Sequence, residues 1–215
     1  MFIGHYGPAF GAKAVAKAIP LWVLFVAVQW LDVWWSIFVL TGVEKLRIVP
    51  GFTQGSPLDL YYMPYTHGLI GALVLSALLG AIVALFMKQQ RMLSFFIVAA
   101  AVFSHWIADL IVHVPDLPLY DNTLKVGFGL WRHEWLSLPL ELIFLAGGAW
   151  LYMRYVPAKP RGNLWLWLFV GAMAGVEFYN SVAPPPDSGS AMAIKALAAY
   201  SVLALLAFFV DRTRA

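Results

Sequence analysis

The sequence contains no cysteine, which removes disulfides, thiolate metal sites and cysteine nucleophiles at once. Charge is nearly as scarce. Asp, Glu, Lys and Arg make up 12% of the 215 residues, whereas a soluble domain carries roughly 25%. No internal repeat or low-complexity tract stands out. The net charge of +3 does not gather into a patch but punctuates the ends of apolar runs, so no nucleic-acid partner is implied. What is abundant is apolar and aromatic surface: 62% hydrophobic residues, ten Trp and nine Tyr. That composition suits a chain whose solvent is a bilayer, with aromatic belts at both interfaces.

Six apolar runs are long enough to cross roughly 30 Å of hydrocarbon at about 1.5 Å per residue. They cover 18–40, 67–87, 92–114, 135–156, 164–182 and 190–210. The expected fold is all-α: one polytopic integral membrane domain, a bundle of about six transmembrane helices. The first run follows Lys13 and Lys17 as a signal peptide would, but it is too long and lacks a small-residue cleavage site, so it reads as a retained helix. Alternating the runs places nine Lys and Arg on one side and four on the other. The richer side is expected to be cytoplasmic, with both termini on it. Two longer connections, 41–66 and 115–134, then lie outside, where loops of such length act as lids or binding segments.

Ionisable residues inside the runs carry the chemical information. Asp32, His67, His105, Asp109, His113, Glu141, Glu177 and Lys195 all fall within them. A charge near mid-bilayer costs about 2.5–3.5 kcal/mol on insertion scales, so pairing, protonation, a wet cavity or a bound cation must offset it. Asp32, His67, His105, Asp109, His113 and Glu141 share the outer half or the midplane. The sharpest pattern is "HWIADLIVH", which sets His105, Asp109 and His113 at i, i+4 and i+8 on one helix face. Imidazole and carboxylate four apart can chelate one ion. All three together extend about 12 Å, so either one adjacent pair binds a metal or two metals are present. A lone intramembrane His is more often a hydrogen-bonded structural group; the shared depth of several is what favours a metal or proton-handling site. Glu177 and Lys195 sit at matched depth across the "APPPDSG" turn and are expected to form a structural ion pair.

The segments "PYTHGLIGAL" and "SHWIADLIVHVPDLPL" resemble the bacterial membrane-bound metal-dependent hydrolase family. The order of the motifs is also similar to that of zinc-dependent phospholipase C. The resemblance spans roughly residues 1–145 and maps the family's ligands onto His5, Asp32, His67 (after Thr66), His105 and Asp109. It departs at Tyr62, where the family has a first His before its Thr-His pair, and at Trp34, where a second Asp is common. A reduced metal site, or a descendant without catalysis, fits that pattern. To join the cluster, residues 1–16 must re-enter the membrane as a short helix.

The resemblance implies a metal-dependent hydrolase in a bacterial inner membrane. Asp32, His67, His105, Asp109 and His5 would hold Zn2+ or another divalent cation, since nitrogen and oxygen donors without sulfur suit zinc. Glu141 or Asp116 would serve as general base, and His113 as second-site ligand or general acid. The substrate would be amphiphilic, a phospholipid or isoprenoid phosphate, met at the outer leaflet. His133 reads as a loop residue, disfavoured as a ligand by Arg132 beside it. Two other functions compete. One is a non-catalytic accessory subunit packed among other membrane subunits of a larger complex. The other is a small proton or ion transporter, which the lack of discontinuous-helix signals weakens.

Overall fold

The computed structural model describes residues 1–214. Among them the chain forms eight α-helices and two antiparallel hairpins. A 3-10 turn at Ile3–His5 leads into α1 (Tyr6–Val15), followed by α2 (Leu21–Val28) and α3 (Trp30–Leu40). Hairpin β1 (Lys45–Ile48) and β2 (Leu58–Tyr62) precedes α4 (Leu69–Phe86) and α5 (Arg91–Val112). Hairpin β3 (Leu117–Tyr120) and β4 (Thr123–Val126) precedes α6 (Glu134–Tyr155), α7 (Gly162–Val182) and α8 (Gly189–Arg212). The all-α expectation therefore missed four short strands, all within the two longer connections.

Four helices, α4, α5, α6 and α8, are long and apolar enough to cross a membrane, and α2 with α3 makes five if the bent pair is one span. The fifth expected span, 164–182, is helical as α7, but its tryptophans, Asn180 and Glu177 leave it short of the hydropathy that the others reach.

The first expected span differs most. The run 18–40 is not one helix but two, bent by 53° where Gln29 interrupts it. The break frees groups that a continuous helix would consume. Gln29 is buried and its Nε2 donates to the Phe2 carbonyl at 3.3 Å. Non-helical backbone survives at depth only where protein or water satisfies it. Here protein does.

The N-terminal segment is the second departure. Residues 1–15 do not lie outside the bundle: Ile3, Tyr6, Ala9 and Phe10 are fully buried. α1 packs against α6 through a close backbone crossing at Gly7 and Gly148. A Cβ on Gly148 would overlap the Gly7 carbonyl, and one on Gly7 would overlap the Phe144 carbonyl. Around that crossing an aromatic core assembles. Tyr6 and Phe25 centroids lie 4.6 Å apart, Phe10 and Phe25 5.2 Å, Phe10 and Tyr152 5.5 Å.

At the far end of α1 a polar node closes the bundle. Lys13 Nζ donates to Asp211 at 3.0 Å and to the carbonyls of Lys17 and Ile19, each at 2.9 Å. Asp211 also accepts from the Leu21 amide at 3.0 Å and the Tyr152 hydroxyl at 2.7 Å. The α1–α2 turn and the end of α8 thus share one end of the molecule. At the other end the hairpins are tied together: Lys125 Nζ donates to the Tyr61 carbonyl at 2.7 Å, and the Gly55 amide to the Trp131 carbonyl at 2.8 Å.

Candidate metal centre

Four structural elements deliver the expected residues to one place. α5 supplies His105 and Asp109, and His113 caps its end one turn further on. The break at Gln29 puts Asp32 in the first turn of α3, while the buried N-terminal turn supplies His5. His67 arrives just before α4. His5, His67, His105, Asp109 and His113 are all at most 3% exposed.

The carboxylate of Asp109 sits at the middle. Its Oδ2 lies 3.0 Å from His105 Nε2 and 3.6 Å from His67 Nε2. Its Oδ1 lies 3.2 Å from His5 Nε2, 3.6 Å from His113 Nε2 and 2.9 Å from the Met1 amino group. Asp32 Oδ1 completes the first group, 3.3 Å from His67 Nε2 and 3.6 Å from His105 Nε2. Ligands about 2.0–2.1 Å from a tetrahedral zinc are separated by roughly 3.3 Å. Two buried triads, His5/His105/Asp109 and Asp32/His67/His105, keep their ligand atoms within 4.8 Å of one another and can hold a metal ion. His105 belongs to both.

The remote nitrogen of each imidazole explains why its Nε2 faces inward. His105 Nδ1 is 2.7 Å from the Val28 carbonyl, the group released by the Gln29 break. A carbonyl only accepts, so Nδ1 carries the proton. His113 Nδ1 is 2.9 Å from Asp116 Oδ1, with the same consequence. For His67 the partner is the Thr66 hydroxyl at 2.9 Å, whose own proton is given to Glu44 Oε2 at 2.6 Å. In each neutral ring the Nε2 lone pair then points at a carboxylate lone pair. Only a cation or an added proton between them removes that repulsion. His5 Nδ1, His5 Nε2 and His105 Nε2 are buried without a hydrogen-bond partner, although both Nε2 atoms stand close to Asp109. Donor atoms that are near an acceptor yet mis-aimed for hydrogen bonding suit a metal. The donor set fits.

The remaining expected residues have other positions. Asp116 lies behind His113 rather than facing the centre. Glu141 Oε2 accepts from the Phe2 amide at 2.8 Å and the Gly4 amide at 3.1 Å, so it pins the turn that carries His5. His133 is exposed and outside the cluster, as expected. The Glu177–Lys195 pair is a correction. Among the described residues no ion pair joins them; Glu177 Oε2 is buried without a hydrogen-bond partner, and both residues border one cavity. A shared depth on paired helices fixed their height but not the rotation of either helix about its axis. The expected lack of a discontinuous helix is a further correction: "VQWLD" contains the break.

Several supporting groups escaped the sequence reading. Glu44, 1% exposed, accepts from the Tyr65 and Thr66 amides at 2.8 and 2.9 Å as well as from the Thr66 hydroxyl. Burial pushes its carboxyl above the usual carboxylate range, against the opposing pull of those hydrogen bonds. Tyr200 donates to Asp32 Oδ2 at 2.6 Å, Trp106 Nε1 donates to the His67 carbonyl at 2.9 Å, and the Trp131 ring lies tilted beside the His113 ring with centroids 4.1 Å apart. Glu44 is the single Glu of the 41–66 connection, and Lys45 and Arg47 beside it mask that signal.

Beside the centre lies a cavity of about 820 Å³, whose wall includes Asp32, His67, Asp109 and His113. Trp35, Leu58, Leu60, Val176 and Met192 give it apolar surface. No family model, curated protein or solved structure matches the chain, so the functional reading rests on this geometry.

Proposed function

We propose that the protein is a metal-dependent hydrolase embedded in a bacterial inner membrane, acting on an amphiphilic substrate, a phospholipid or isoprenoid phosphate, at the outer leaflet. The observation that carries the reading is the convergence of imidazole Nε2 atoms on Asp32 and Asp109, each ring fixed from behind, next to a large part-apolar cavity. His5, His105 and Asp109 would hold one ion and Asp32, His67 and His105 another, with His113 3.6 Å from Asp109 Oδ1 beside them. A bound Zn2+ or similar ion supplies Lewis acidity and a water of lowered pKa.

The chain's own residues do the rest. Val28, Thr66 and Asp116 hold the imidazoles in the tautomer that leaves Nε2 free. Glu141 keeps the His5 turn in place through Oε2 and borders the cavity, where it is assigned the role of proton acceptor. Trp131 and the hairpin loop bonded to it cover the headgroup. The lipid tail lies against the apolar wall.

The test is metal content by elemental analysis of the detergent-purified full chain, together with release of product from lipid phosphates. Stoichiometric zinc, lost in His105→Ala along with hydrolysis, is the expected result. Absence of any bound divalent metal from freshly purified wild-type protein overturns the proposal.

A further inference from the structure

Lys195 is the only Lys or Arg among the described residues that line the large cavity. It lies within α8, a helix long and apolar enough to cross a membrane. No hydrogen bond or ion pair within 4.0 Å engages its ammonium among the described residues, and its side chain is exposed. An unpaired lysine in a spanning helix is costly unless it reaches water, an interface or a ligand. Asp32, Asp109, Glu134, Glu141 and Glu177 border the same cavity, yet none of them lies within 4.0 Å of its ammonium. Glu134, Glu141 and Glu177 also line a smaller recess of about 70 Å³ with Gly55, Asn180 and Ser181, which Lys195 does not border.

The position of Lys195 relative to the His/Asp cluster follows from α8 itself. Five residues further on, about 7.5 Å of helix rise, Tyr200 bonds to Asp32 at 2.6 Å. Lys195 is therefore displaced along α8, toward the helix start at Gly189, from the level of the cluster. A single phosphate held at the cluster leaves that distance unfilled. A second anionic group attached to it fills the gap, because a lysine ammonium meets phosphate as a mobile point charge on a long stem.

We infer that Lys195 is a specificity-determining residue of the cavity, binding the second phosphate of a lipid diphosphate whose first phosphate lies at the His/Asp cluster. The inference rests on the hydrolase reading and sharpens its substrate class. Lys195, expected to pair with Glu177, serves instead as a recognition group on the cavity wall.

Trp35 and Trp131 line the same cavity, so their fluorescence reports binding without turnover. The zinc-loaded, detergent-solubilised full chain is titrated with a prenyl diphosphate and with the monophosphate of the same chain length. Wild type is expected to bind the diphosphate about tenfold more tightly, the size of one charge-assisted hydrogen bond. Lys195→Gln removes that preference, leaves monophosphate affinity within about twofold and keeps wild-type zinc content; Lys195→Arg retains the preference. Equal affinities for the two lipids in wild type overturn the inference. So does a preference that persists in Lys195→Gln, which marks Lys195 as a side chain reaching only for the interface. Neither result touches the hydrolase reading, which falls instead if wild type binds no metal.

Discussion

The molecule holds two buried polar clusters at opposite ends of α1, and they are built on different logic. In the Lys13–Asp211 node every donor meets an acceptor. Lys13 places its three protons on Asp211, Lys17 and Ile19, and Asp211 returns both oxygens to Lys13, Leu21 and Tyr152. In the His/Asp cluster, His5 and His105 keep buried nitrogens without partners, and ring lone pairs face carboxylates. The first closes upon itself and needs nothing more. The second keeps unpartnered nitrogens even with the Met1 ammonium on Asp109 Oδ1, and a metal ion would satisfy them. Burial alone therefore does not separate structure from function; the unsatisfied remainder does.

The largest expected effect is on Asp109, which touches both halves of the cluster. Asp109→Asn should lower bound metal to below about a tenth of wild type by elemental analysis, since its carboxylate faces the Nε2 atoms of His5, His67, His105 and His113. Asp211→Asn should leave metal content intact yet destabilise the fold by about 3–5 kcal/mol in a detergent unfolding titration, the cost of leaving Lys13 uncompensated. If Asp211→Asn also strips metal, the two clusters are not independent and the contrast fails. Replacing Lys13 and Asp211 together by Met and Leu should recover most of that stability, which the same titration checks.

Next comes the crossing that brings His5 inward. Gly148→Ala drives a Cβ into the Gly7 carbonyl and should cost about 1–3 kcal/mol through overpacking. It should also weaken metal retention during chelator dialysis, because the turn bearing His5 moves with α1. Glu44→Gln acts on the cluster alone. Loss of an outer-shell partner typically weakens metal binding about 10–100-fold, so competition with a chelator should show that drop at unchanged thermal stability. The smallest effect belongs to Tyr200→Phe. It deletes one hydrogen bond to Asp32, worth about 1 kcal/mol, and should shift metal affinity by no more than about fivefold in the same competition.

Parts of this site were legible because they are local. His105, Asp109 and His113 lie on one helical face whatever surrounds them, since four residues make nearly a full turn. His5 was identified by resemblance, and no local pattern required residues 1–16 to be buried: the segment carries Lys13 and is followed by Lys17. Its burial depends on Gly7 meeting Gly148, a contact across 141 positions of chain that no local pattern encodes. The bend at Gln29 was hidden for a related reason. Hydrophobicity measures how well residues suit lipid, and a backbone break buried by protein leaves that measure unchanged. Glu44 and Tyr200 also reach the centre only through distant partners.

By itself the sequence determined that the chain is apolar, helical and suited to lipid, and that one helix carries His and Asp at ligand spacing. These are properties of composition and of a 3.6-residue period. Tertiary structure alone decided that Asp109 stands between two sets of imidazoles, that Glu177 and Lys195 part company, and that a cavity opens beside the cluster. Helix rotation and crossing set those outcomes, and both are governed by side-chain packing between segments far apart in the chain.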